Sequence, residues 1–176
     1  MEVGVKFYSH NKVTTDDFDF ADFVEILPVP VNEIGVFSNY DFKYRIHCPH
    51  DAFDFNPSNE RAHEKNLKMW KATISAADTL NADRIVVHAG FNTEKLGLKN
   101  PKDVAIKFLS ENFDPRICIE NLLPVDGDLV WVAYGPEEIW SLRSWDLSSA
   151  WILVMRLQLR PTLRRITKRL SRSLQS

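Results

Sequence analysis

The chain has 176 residues, of which 44% are hydrophobic and 26% charged, with a formal net charge of −2. That is globular composition; it holds no run of about 18 apolar residues to cross a bilayer and no signal-peptide pattern. The length also falls short of the roughly 250 residues that a complete eight-stranded α/β barrel requires.

Short β-prone runs alternate with helical segments. In chain order the predicted strands are Val3–Tyr8, Phe23–Leu27, Tyr44–Cys48, Arg84–His88 and Arg116–Glu120. Ile85-Val86-Val87 and Ile117-Cys118-Ile119 are continuous apolar runs, the pattern of strands buried on both faces of a parallel sheet. The first two crossovers, 16–22 and 29–39, have room for about one helical turn each. A long helix is expected from Pro57 to Leu80, with Asn56 as N-cap and proline at its first position. Leu67, Trp70, Ile74 and Ala77 form its apolar stripe, and Asn81 closes it in a left-handed conformation. Further helices are expected at 101–112 and 136–144. Alternation of this kind argues for βαβ units with right-handed crossovers, in a barrel or a doubly wound sheet. Tyr8-Ser9-His10-Asn11 lacks the glycines of a dinucleotide loop, which weighs against the second.

Charge is unevenly spread. Residues 145–176 carry seven Lys/Arg and one acid, a balance of +6, which leaves −8 on residues 1–144. Cys48 and Cys118 fall inside predicted strands and read as buried core thiols of a reducing compartment, so the cytoplasm is the expected location.

His47, His88 and Glu120 each end a predicted strand, on the side of a parallel sheet where α/β folds place their sites. Imidazole and carboxylate together suit Zn, Mn, Fe or Co. Taken singly, a histidine at a strand end is more often a hydrogen-bonding residue than a ligand. Three such residues on consecutive strands would point into one space. His63 is expected on the solvent face of the long helix, and Trp131 and Tyr134 in the core or a loop wall.

The segment Ile46-His47-Cys48-Pro49-His50, with Val87-His88-Ala89-Gly90 and Ile119-Glu120-Asn121, resembles the strand-three, -four and -five motifs of the xylose isomerase-like barrel superfamily. This superfamily includes sugar-phosphate isomerases and epimerases and the endonuclease IV-like (AP endonuclease family 2) enzymes. The resemblance covers about the first 143 residues. It implies an incomplete (β/α) TIM-type barrel of five to six parallel strands with flanking helices. It further implies a divalent metal (Zn, Mn or Co) on His47, His88 and Glu120, with Glu120 also catalytic. Glu25, in Val24-Glu25-Ile26, resembles a second catalytic carboxylate of the isomerase branch, and His10, His50 and Asn121 would line the substrate pocket.

The superfamily's sixth-strand motif, an Asp and a His, is missing from the written sequence. Shifting the codons of residues 145–155 by one base can yield G-F-E-L-C-L-D-F-G-H-A, which resembles that motif. Two domains are therefore expected: a partial barrel at 1–144 and a basic amphipathic, out-of-frame tail at 145–176. Read at face value, Leu163, Ile166, Leu170 and Leu174 would form a basic amphipathic helix for membrane or nucleic acid. The expected activity is metal-dependent sugar or sugar-phosphate isomerisation or epimerisation, impaired in this chain. The alternatives are an endonuclease IV-like abasic-site hydrolase and a non-catalytic remnant. The −8 body weighs against nucleic acid.

Overall fold

The structure, a computed structural model, describes residues 2–9, 20–29, 31–93, 95–120, 122, 130–132 and 151–153. Among these residues, six strands make one parallel sheet: β1 (Gly4–Tyr8), β2 (Phe23–Leu27), β3 (Tyr44–His47), β4 (Arg84–His88), β6 (Ile117–Glu120) and β8 (Trp151–Leu153). Their spatial order, β1-β2-β3-β4-β6-β8, follows the chain without reversal. A doubly wound sheet reverses at its switch point. This order instead matches part of a (β/α) barrel. The remaining two strands, β5 (Phe91–Asn92) and β7 (Val130–Trp131), pair antiparallel beside it.

Alternation along the strands sorts their side chains onto two faces. Val24, Ile26, Tyr44, Ile46, Ile85, Val87, Ile117 and Ile119 belong to the buried core. Helix α1 (His63–Thr79) adds Trp70, Ala76 and Ala77, and α2 (Pro101–Glu111) adds Ala105, Ile106, Phe108 and Leu109. Lys6, Glu25, Arg45, His47, Val86, His88, Cys118 and Glu120 share the opposite face, by register and alternation. Polar residues interrupting apolar strands thus all fall on one side.

The long helix starts later than expected. Proline at the first position had suggested residue 57, yet α1 begins at His63 after a 3-10 turn at Glu60–Ala62. Asn59, not Asn56, caps that turn, accepting from Arg61 N at 3.1 Å. Asn56 is drawn away because buried backbone groups of two loops need its amide, as described below. The apolar stripe holds: Trp70 and Ala77 are buried, and Leu67 and Ile74 pack against the core. Asn81 closes the helix at φ 48°. The 29–39 crossover is a 3-10 segment, Val31–Asn39, and α2 ends one residue before the expected Asn112. His63 is exposed, as expected, with its ring 5.8 Å from that of Phe108. Both cysteines are buried and free. No helix among the described residues is long and apolar enough to cross a membrane. The 136–144 helix, Tyr134 and the basic tail beyond Leu153 lie outside the described residues.

Before β6, Asp114 accepts from Arg116 N and Nε at 2.9 Å each, and from Nη2 at 2.8 Å. The same Nη2 reaches Asp78 near the end of α1 at 2.7 Å. These bonds from Arg116 hold the Asp114 carboxyl below its ordinary value. A lowered carboxyl stabilises the fold above its unfolded pKa, and that contribution disappears as pH falls through the folded one. Asp114→Asn should therefore cost about 1–2 kcal/mol at pH 7. Urea unfolding should show the gap between variant and parent narrowing once pH drops below about 3.9.

Candidate metal centre

Strand geometry carries three donors to one point. His47 ends β3, His88 ends β4 and Glu120 ends β6, with His88 and Glu120 in direct register and His47 opposite Val86. His47 Nε2 and His88 Nε2 both lie 3.1 Å from Glu120 Oε2. The two imidazoles meet edge to face, their centroids 5.1 Å apart. The site is enclosed: the side chains of His47, His88 and Glu120 are 2%, 12% and 8% exposed.

The hydrogen-bond partners of His47 fix which of its nitrogens is free to act as a donor to an ion. His47 Nδ1 lies 2.8 Å from the Cys48 carbonyl oxygen, which can only accept, so Nδ1 carries a proton. In the neutral ring, Nε2 is then a bare lone pair aimed at a carboxylate oxygen. Two acceptors facing each other need a positive charge between them, either a proton or a metal ion. The spacing suits the ion, since two bonds of about 2.0–2.1 Å at a tetrahedral angle separate their donors by about 3.3 Å. His47, His88 and Glu120 thus fit a divalent cation such as Zn, Mn or Co. Without one, burial tends to raise the Glu120 carboxyl. Hydrogen bonds from His47 and His88, and their charge, outweigh it and hold the group below the usual carboxylate range.

The neighbouring thiol is not a donor. Burial pushes Cys48 up to about 12, and its Sγ lies 3.6 Å from Thr73 Oγ1.

His50, expected to line the substrate pocket, is placed beside the cluster and is more exposed than it. Its ring stacks on His88 at 5.2 Å and meets His47 edge-on at 5.8 Å. Glu25, expected as a catalytic carboxylate, is set apart from the cluster. It shares the sheet face but is registered with Arg45, two residues before His47, and its Oε1 pairs with Lys6 Nζ at 3.1 Å. His10 and Asn121 lie outside the described residues.

Sequence reasoning missed the fastening behind the site. Asn56, 3% exposed, uses its Oδ1 to accept from Ser58 N, Ser58 Oγ and Phe91 N, while its Nδ2 donates to the Phe91 carbonyl. Asn66 of α1 bonds both backbone groups of Asn56. Gly90 sits against this knot at φ +113° and accepts from Val132 N at 2.9 Å. The 130–132 segment thereby brings Trp131, expected in the core or a loop wall, over His88 as a buried ring with centroids 5.4 Å apart. The available signal was Asn56-Pro57-Ser58, a turn motif as well as a helix start.

No protein-family model matches the chain. Two solved structures share its fold. A D-tagatose 3-epimerase-like protein superposes with TM-score 0.60 at 21% identity, covering 81% of this chain and 60% of that protein. Endonuclease IV from Thermus thermophilus gives TM-score 0.54 at 16% identity, covering 86% and 61%. An uncharacterised protein of Methanocaldococcus jannaschii is 28% identical over 99 residues, 53% of this chain and 39% of its own length. The chain thus shares the fold of these two proteins, part of a (β/α) barrel, and spans about three-fifths of the length of the solved structures it matches.

Proposed function

We propose that the chain carries the metal-binding part of a divalent-metal-dependent sugar or sugar-phosphate isomerase or epimerase. The convergence of His47 Nε2 and His88 Nε2 on one oxygen of Glu120 carries this reading. It is supported by the fold shared with a D-tagatose 3-epimerase-like protein and by the −8 balance of residues 1–144, which disfavours a polyanionic substrate.

When bound, the cation supplies Lewis acidity to a carbonyl or phosphoryl oxygen. The protein's own groups do the rest. His47 is held by the Cys48 carbonyl, so its donor nitrogen points the right way before any ion arrives. His50, Phe53 and Trp131 wall the mouth with rings and limit water. Glu120 and Glu25 are the carboxylates that the described strands of the sheet place on this face. Glu25, paired with Lys6 and set two residues short of the level of His47, would move a proton only on a substrate that extends from the cluster along this face.

Titration with Zn(II), Mn(II) or Co(II) tests the metal. The melting temperature should rise with added ion and return on chelation. Binding should weaken as pH falls, because proton and ion compete for the same Nε2 lone pair. A melting temperature indifferent to every ion would end this reading.

One observation favours a second reading: the fold is also that of an endonuclease IV, and a two-histidine, one-carboxylate set suits activation of water for phosphodiester hydrolysis. The metal-loaded chain should exchange the carbon-bound proton beside a ketose carbonyl in D2O. Nicking of abasic-site duplex without such exchange would transfer the assignment to hydrolysis.

A further inference from the structure

His50, Asp51 and His88 form a second group of donors, each offering an atom within 4.8 Å of the other two. The observations around it go beyond an ordinary surface ion pair. His50 and Asp51 are fixed together at the start of the 3-10 turn Asp51–Phe53, where His50 Nδ1 lies 2.9 Å from Asp51 Oδ1. Two histidines and a carboxylate repeat the chemistry of the inner group, with His88 common to both. The two groups also differ in access. His50 and Asp51 side chains are 23% and 35% exposed, whereas His47 and Glu120 are nearly closed off. The His50 ring leans on both inner imidazoles, at 5.2 and 5.8 Å. An ion entering on this side meets the outer donors before the buried ones.

We propose that His50, Asp51 and His88 are an outer seat for a divalent cation of the Zn, Co or Mn type, at the mouth of the inner site and sharing His88 with it. This rests on the reading of the inner group as a metal site. The outer seat is weaker than the inner one, because its donors are wetter and Asp51 must exchange its bond to His50 for the ion. It retains a cation when the inner group is disabled.

The test titrates the full chain with Co(II), read by calorimetry and by the visible absorption of bound cobalt. Parent, Glu120→Gln, Asp51→Asn and the double variant are compared, with circular dichroism confirming the fold of each. Glu120→Gln should still bind one Co(II) per chain, with an altered cobalt spectrum. Adding Asp51→Asn should weaken that residual binding at least about tenfold, while Asp51→Asn alone leaves the inner site's spectrum in place. If the parent binds and folded Glu120→Gln does not, the outer seat is refuted and the inner site stands. Equal binding by Glu120→Gln and the double variant would also refute it. A parent that binds no cobalt would overturn the inner site and the outer seat together.

Discussion

Glu120→Ala should abolish metal binding at the inner group, leaving a folded protein with at most the weaker binding of the outer seat. Among the described residues, Glu120 supplies the only charge-compensating donor of the inner group, and one of its oxygens faces both imidazoles at 3.1 Å. Without it, two histidines remain, and neither neutralises a divalent ion in a nearly closed space. Loss of a partner that merely orients a ligand costs about 10–100-fold in affinity, so loss of the ligand itself should exceed about 100-fold. The metal-free protein also loses stability, by about 1–3 kcal/mol, because two buried imidazole nitrogens lose their acceptor. Calorimetric titration with Zn(II) and urea unfolding in chelator would measure the two effects separately. Affinity within a few-fold of the parent would show that the ion, if bound, sits elsewhere.

The second large effect is predicted at a residue that carries no ligand atom. Gly90→Ala should destabilise the fold by about 3 kcal/mol or more, combining an unfavourable backbone region with overpacking. Gly90 has φ +113°, and an added Cβ would lie 2.7 Å from Ser58 Cβ and Oγ and 2.8 Å from Asn56 Oδ1. Neither neighbour can withdraw freely, since Asn56 Oδ1 already accepts three hydrogen bonds. The loop after His88 must therefore move, and Trp131 with it. Denaturant unfolding should show the loss, and zinc affinity should fall too, because the His88 ring loses a wall. An alanine variant as stable as its parent would mean the loop adopts another path.

Much of this site was legible from the chain because its donors follow apolar β runs. In Tyr44-Arg45-Ile46-His47 and Ile117-Cys118-Ile119-Glu120 the periodicity marks the strand, and the last polar residue lands at its carboxyl end. Parallel register then does the assembling. What resisted reading was non-local. Nothing within Val24-Glu25-Ile26 shows that Lys6 of the neighbouring strand lies beside Glu25. Asn56 before Pro57 satisfies a local helix-start rule, and the contest was decided by Phe91, 35 residues away. The barrel-like strand order could not come from alternation alone, since both candidate topologies share it. The closeness of Asp51 to His88 was not legible because a carboxylate just past a histidine motif looks like any turn residue.

The bond from His47 to the carbonyl beside it has a wider meaning. A metal-binding imidazole steered by a distant side chain depends on long-range folding and on two positions changing in concert. Here the steering group belongs to the very next peptide unit. The instruction travels with a two-residue piece of chain and depends on no particular side chain at position 48. Substituting that thiol by alanine would alter packing against Thr73 and leave the ring's proton where it is. A ring held in this way carries its orientation within a short segment of chain.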